Sequence, residues 1–454
     1  MREYDKKEEL SEKILEYLDT VCGQIRWKEA RAGVREEMTD HILSQKEAFL
    51  AEGKAEPEAD AMAVEEMGDG LSVGLELDRI HRPLPQWQLM IPVFLLLAAG
   101  VVCRVFVDGM APFSLSVLLP VLAAAILFFA GYFLDYTVIF RRSKWIVAAS
   151  ALILAGTLIF GEKHIGQSYG RVFSVFFQMS YLGFLLPLVL LAVLALVRKK
   201  GGRGFCLAML AAGAGMLYLI LCGSLSFVLL FAVAAWVLLW MAVRADWFAL
   251  GKEKGRKWFL LLTGAAVILG VLFLLLPGRA RLLWAVGRMT GDETGNGFLF
   301  SLVGRFWQNS QWVGHGTYPE GNWGRILMEV TEEFGYSHDI LLAQLAFVLG
   351  KAAVVAVMAI FLFFFLWSIP LIRRQSSLPG RMTAVCIWLV LLFETAVFFV
   401  FNLGFLLVSA TALPLVSYGN TALLLNAFLM GLLLSVFRRS KEVRESTFFA
   451  VSQK

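Results

Sequence analysis

Ten stretches of this sequence, each about 20 residues long and mostly apolar, match the length a helix needs to cross the hydrocarbon of a bilayer. Lipid offers the backbone no hydrogen-bond partner, so runs of this length fold as helices that satisfy their own amides. The spans are expected at roughly 88–107, 114–140, 145–160, 179–197, 204–222, 225–243, 258–276, 342–370, 382–408 and 419–437. Composition agrees: 58% of the 454 residues are hydrophobic and 17% charged, more apolar side chain than a soluble globule can bury. The net charge of +5 is modest, and no nucleic-acid partner is expected. The five cysteines show no CxxC spacing, which argues against a disulfide framework and against a metal site.

Residues 1–85 read differently, being rich in Glu, Lys, Arg and Asp. Apolar residues recur at helical spacing over 7–27 and 30–52, and EPEADAMAVEEMGD opens a third helix that Gly68 closes. A separate soluble helical bundle is therefore expected before the Pro-containing RPLPQW at 82–87. The start, MREYDKKEELSEK, has no apolar core followed by a small-residue cleavage site, so the first membrane helix should act as its own signal. The fold class is thus all-α, with a soluble bundle at 1–85, a ten-helix membrane domain at 86–440 and a tail at 441–454.

Lysine and arginine in short loops stay on the cytoplasmic side. The clusters RRSK (141–144), RKKGGR (198–203), RADWFALGKEKGRK (244–257), RRQSSLPGR (373–381) and RRSKEVR (438–444) fall on alternate connections. Both termini are then cytoplasmic, and the long loop at 277–341 lies outside.

Two constellations could carry chemistry. In EEFGYSHDILLAQLAFVLG (332–350), Ser337 is a good N-cap and Asp339 falls in the first turn of the eighth span. An acid there is stabilised by the helix dipole, by about 0.3–1 kcal/mol, or serves as a base or ligand at the membrane surface. His338 beside it and Gln344 five residues on are further candidates for a polar cavity. The second constellation is SATALPLVSYGNTALLLNAFLMGLLLSVFRR (409–439). It sets Ser417, Tyr418, Asn420 and Thr421 in a turn between two spans, with Asn402 near the end of the preceding one. Non-helical backbone survives at this depth only where protein or water satisfies it. Glu394 lies inside a span, where an acid costs roughly 2.5–3.5 kcal/mol unless it meets polar company. It is either a protonated acid bonded to a neighbouring helix or a member of a cavity.

VFNLGFLLVSATALPLVSYGNTALLLNAFLMGLLLSVFRR (400–439) resembles the C-terminal signature of the SEDS family (FtsW, RodA, SpoVE). That signature runs from an Asn-Ile-Gly helix to a Leu-Pro-Leu/Phe-Val/Ile-Ser-Tyr-Gly-Gly turn and a last helix ending in basic residues. GYFLDYTVIFRR (131–142), VFSVFFQMSYLGFLLPLVL (172–190), WVGHGTY (312–318) and GYSHDILLAQLAFVLGK (335–351) are similar to further segments of it. The soluble start resembles, less specifically, the helical prefix domain found ahead of bacterial permeases.

The resemblance implies a peptidoglycan glycosyltransferase in the bacterial cytoplasmic membrane, polymerising lipid II on the outer face. It places the catalytic aspartate at Asp339 and implies substrate contacts at Arg171, Gln178, Ser180, Asn402, Ser417, Tyr418 and Gly419. A class B penicillin-binding protein is the implied partner. No cofactor is called for with certainty, a divalent cation being the one candidate. The chain departs from the family at Met179 and Tyr181, at Leu221–Leu225, at Ala346–Phe347 and at Asn420, so that family acids are missing at three of these places. A catalytically degenerate scaffold and a lipid-linked precursor transporter are the competing expectations.

Overall fold

The computed structural model describes residues 10–26, 28–81, 85–107, 110–111, 113–164, 167–172, 175–275, 298–333, 338–405, 411–417 and 420–439. The chain divides into two compact units at Pro85.

Among the described residues the first unit contains four helices: α1 (Glu12–Gln24), α2 (Lys28–Ala51), α3 (Glu56–Glu66) and α4 (Gly70–His81). Ile14, Leu18, Val21 and Ile25 supply one apolar stripe, which closes with Val34, Ile42 and Ala63 into a small core. The fourth helix was not expected from the pattern. Gly68, at φ 81°, does end α3 as anticipated, but the chain restarts at once and Asp69 accepts a bond from the Ser72 amide at 3.0 Å. Asp78 of α4 then accepts from the Arg26 amide at 2.7 Å, tying the end of α4 to the end of α1. Nearly buried Lys46 is neutralised by Asp60 at 2.9 Å and Glu56 at 3.0 Å.

The second unit is a multi-pass helical membrane fold. Eight helices among the described residues are long and apolar enough to cross a bilayer: α5 (Trp87–Phe106), α6 (Leu115–Phe133), α7 (Ser143–Phe160), α9 (Gly201–Leu221), α10 (Leu225–Arg244), α15 (Lys351–Arg373), α16 (Leu378–Asn402) and α17 (Asn420–Arg438). Two more of the expected spans are helical as well. These are α8 (Leu186–Leu196), shorter and preceded by a 3-10 stretch at Met179–Phe184, and α11 (Lys252–Leu275). Among the described residues after α11 and before α15 are three short α-helices: α12 (Phe298–Asn309), α13 (Asn322–Met328) and α14 (Leu341–Val348).

The spans end where polar side chains redirect the backbone. The second stops at Phe133 rather than near 140 because Asp135 turns the chain, accepting from the Thr137 amide at 3.0 Å and the Thr137 hydroxyl at 2.7 Å. Arg141 lies 3.8 Å from the same carboxylate. α6 and α17 meet through Gly131 and Gly431, where a β-carbon would collide with the Phe428 and Phe128 carbonyls respectively. Small residues permit that approach, and within lipid close backbone packing replaces a hydrophobic drive. Between α7 and α8 the chain forms an antiparallel sheet, β1 (Glu162–His164), β2 (Gln167–Val172) and β3 (Val175–Gln178), in the order β1-β2-β3. No alternation signal had separated this stretch from an ordinary loop.

Candidate functional site around Asp339

The eighth expected span is not one helix. It begins with a 3-10 turn at His338–Ile340, continues as α14, breaks at Leu349–Gly350 and resumes as α15. Gly350 makes the break: its φ is 100°, and a β-carbon there would lie 2.6 Å from the Trp312 carbonyl. Only glycine tolerates both demands.

Asp339 therefore sits ahead of a separate short helix, and that helix is held by Asn402 at the end of α16. The Asn402 Oδ1 accepts from the amides of Leu342 at 2.9 Å and Ala343 at 3.3 Å. Its Nδ2 donates to the Asp339 carbonyl at 2.8 Å and the Phe398 carbonyl at 3.0 Å. Both donors and both lone pairs of the amide are used. The Asn402 carbonyl in turn accepts from Trp307 Nε1 of α12 at 2.6 Å. One buried residue thus fixes α12, α14 and α16 together, and the backbone of Asp339 with them.

Apolar packing supports the same arrangement. Leu302, Val303 and Phe306 of α12 and Leu327 of α13 join Ile340, Ala343, Phe347 and Phe401 in one cluster. The WVGHGTY stretch lies along the helix break. The Gly316 amide donates to the Phe347 carbonyl at 2.6 Å, the Lys351 amide to the Gln311 carbonyl at 2.9 Å and the Ala352 amide to the Trp312 carbonyl at 3.0 Å. A β-carbon on Gly316 would fall 2.5 Å from the Phe347 ring. The loop motif is thus a clamp on the end of α14.

The Asp339 side chain is partly exposed, and burial pushes its carboxyl above the ordinary aspartate value. The cost of desolvating the charged form is the whole cause. Such a group gives a proton acceptor stronger than a free carboxylate, at an edge that remains open.

The other expected site residues fall in several places. Ser417 closes its own turn, accepting from the Leu413 amide at 3.0 Å and donating to the Leu413 carbonyl at 3.2 Å. Ser180 is buried, and its hydroxyl has no hydrogen-bond partner among the described residues. Gln178 ends β3 and is partly buried. Arg171 lies in β2, paired with Phe176 across the sheet, and His338 in the 3-10 turn, but both side chains are outside the described residues. Ser337, Tyr418 and Gly419 are also outside them. Glu394 lies eight residues before Asn402, about 12 Å along the helix at 1.5 Å per residue. It accepts from Asn426 Nδ2 of α17 at 2.9 Å, a partner that sequence reading had not named. The side-chain nitrogen and oxygen of Gln344 are buried without partners among the described residues.

Among the described residues no three His, Cys, Asp or Glu side chains come together as a group able to hold a metal ion.

Residues 321–442 match the sequence profile of the FtsW/RodA/SpoVE family, described as cell cycle protein. Solved structures share the fold of the membrane portion. One is a peptidoglycan synthase complex studied for its structural coordination of polymerization and crosslinking, at 20% identity and TM-score 0.61, covering 79% of this chain and 99% of that one. Another is the rod shape determining protein RodA of Thermus thermophilus, at 20% identity and TM-score 0.50, covering 79% and 98%. An aspartate-to-alanine mutant of that RodA aligns at 18% identity and TM-score 0.52, covering 79% and 99%. No curated protein sequence matches the chain. The chain is thus a multi-pass, helical membrane protein whose membrane portion has the fold of these solved structures and whose residues 321–442 match the FtsW/RodA/SpoVE profile.

Proposed function

We propose that this protein is a peptidoglycan glycosyltransferase that polymerises lipid II, with Asp339 as its general base. The observation that carries the reading is the placement of Asp339. A partly exposed acid with a raised pKa is held on a backbone that Asn402 and the 311–316 clamp fix from two sides.

In the proposed reaction, the acceptor sugar hydroxyl passes its proton to the Asp339 carboxylate while its oxygen bonds to the anomeric carbon of the donor. The bond from that carbon to the undecaprenyl pyrophosphate breaks, and the pyrophosphate leaves with the electron pair. A base works best when its pKa lies near the working pH, so the upward shift at Asp339 favours the proton transfer. The departing charge needs cationic partners, the role assigned to Arg171. Asn402 acts as a positioning residue, since its amide is committed to backbone groups. Gln178, Ser180, Ser417, Tyr418 and Gly419 are assigned to the substrate path. The protein is assigned to the bacterial cytoplasmic membrane with both termini inside, working beside a class B penicillin-binding protein.

A second reading, a scaffold without activity, is favoured by one feature. Where the family pairs two acids after the catalytic segment, this chain has Ala346 and Phe347, both fully buried. The Phe347 ring stacks edge-on against Phe306 and His315 at 5.5 and 4.9 Å.

Polymerisation of lipid II by the purified protein, alone and with the class B partner, separates the two readings. Glycan product that vanishes with Asp339→Ala supports the enzyme. Product that survives the substitution removes Asp339 as the base, and no product with any partner supports the scaffold.

A further inference from the structure

α10 and α11 are joined by a short connection, 245–251, that the fold holds rigidly. Asp246 Oδ1 accepts from the amides of Leu250 at 3.0 Å and Gly251 at 2.9 Å. The indole of buried Trp247 donates to the Leu194 carbonyl at 2.7 Å, and the Trp247 carbonyl accepts from the Lys199 amide at 3.0 Å. Beside this connection is a cavity of about 460 Å³, lined by Trp240, Val243, Arg244, Lys252, Glu253 and Arg256. Cavities of about 300–1,000 Å³ accommodate small ligands.

The lining has two chemistries. Arg244 ends α10 and Lys252 begins α11, with Arg256 one turn further on. Glu253 is the one acid in the lining, so the cavity carries an excess of positive charge. None of these four charged side chains has an ion-pair or hydrogen-bond partner among the described residues. The rest of the lining is apolar: Trp240 and Val243, one turn and one residue before Arg244 on the same helix, with Trp240 backed by the Phe259 ring at 5.5 Å. The outer faces of the same helices expose Trp236, Trp258, Leu260 and Leu261. Tryptophan at the ends of spans marks the headgroup level of a bilayer, and basic pockets between spans at that level suit anionic headgroups.

We propose that this cavity binds the phosphate headgroup of an anionic membrane phospholipid, with Arg244, Lys252 and Arg256 on the phosphate oxygens and Trp240 and Val243 against the glycerol and first acyl carbons. A free phosphate shares the charge but has no use for the apolar wall. The site is separate from Asp339 and does not depend on the proposed activity.

The test uses the full-length protein in a neutral detergent, with native mass spectrometry counting bound cardiolipin or phosphatidylglycerol against phosphatidylcholine. The wild type should retain anionic lipid and not phosphatidylcholine. The triple variant Arg244→Gln, Lys252→Gln, Arg256→Gln should bind it at least tenfold more weakly, whereas Arg244→Lys with Arg256→Lys should hold it nearly as well. Neutralising exposed Arg142, Arg373 and Arg374 instead should leave retention unchanged. Equal loss from that control set overturns the site in favour of general attraction to basic loops. Unchanged retention in the triple variant also overturns it. Displacement of the lipid by equimolar inorganic phosphate overturns the lipid as occupant. Should the triple variant not elute like the wild type on size exclusion, Arg256→Gln alone carries the comparison, with about a threefold loss expected and no loss refuting the site.

Discussion

Asn402 and Asn426 are both buried amides on membrane helices, yet their surroundings differ. Asn402 makes four hydrogen bonds to backbone groups and spends its whole capacity on the turn that carries Asp339. Asn426 makes one described bond, to Glu394, and leaves its own Oδ1 and the Glu394 Oε2 without partners among the described residues. A saturated network fixes one geometry, whereas an incomplete one costs stability because buried polar atoms forgo water without compensation. The Asn402 end of α16 is thus built to position, and its middle is where polar groups are held at a cost.

The sharpest way to break this comparison is at Asp339. Asp339→Asn keeps the shape and removes the proposed base, and if that role holds lipid II polymerisation should fall by about 10²-fold or more. The thermal midpoint should barely move, since a neutral amide replaces an acid whose charged form burial disfavours. A large fall in midpoint with activity retained would show that the residue is structural.

Asn402→Leu comes next. It strands the Leu342 and Ala343 amides and the Asp339 carbonyl, so unfolding in detergent should be easier by about 2–4 kcal/mol. Polymerisation should fall as well, through loss of the aspartate's placement, while Asn402→Gln, whose longer side chain misplaces the same groups, should rescue little.

In the middle of α16 the expected outcome is different. Asn426→Leu alone leaves Glu394 with no donor and should cost about 1–3 kcal/mol, but the double variant Asn426→Leu with Glu394→Leu should recover most of that loss. A double-mutant cycle on thermal midpoints measures it, and additive losses would mean that the pair does not interact.

The smallest effect is on pH. The folded-state pKa of Asp339 is raised, so the folded protein binds the proton more tightly than the unfolded chain. This contribution to stability is present below the ordinary aspartate value and is lost as pH rises through the raised one. Activity has the opposite slope, because the base must be ionised, so the acidic limb of the rate profile should lie above the ordinary carboxylate range. Asp339→Asn should flatten the stability slope in that window.

Much of this was legible in the residues themselves. Apolar runs of spanning length gave the helices, because in lipid a helix is the local solution to backbone hydrogen bonding and needs no distant partner. An acid followed by the apolar stretch from Ile340 marked Asp339, and the Ser-Tyr-Gly turn and its flanks carried the family resemblance, within the segment that the profile matches. The break at Gly350 was less visible, since a glycine inside an apolar run reads as tolerated packing until Trp312 is found against it. The partnership of Glu394 with Asn426 was hidden for a similar reason: an acid in a span announces that it needs company, but 32 residues separate it from the donor. The strands at 162–178 gave no alternation to read.

By itself the sequence determined that the chain is built largely of apolar helices of spanning length, that residues 1–85 differ from the rest in composition, and that an acid precedes the apolar run from Ile340, since each follows from local composition and short-range periodicity. Only the tertiary structure decided that this span is two helices, that Asn402 serves the aspartate's backbone, and that three basic residues of one connection share a cavity with Trp240. These are contacts between segments far apart in the chain, set by how helices pack, and no local pattern encodes them.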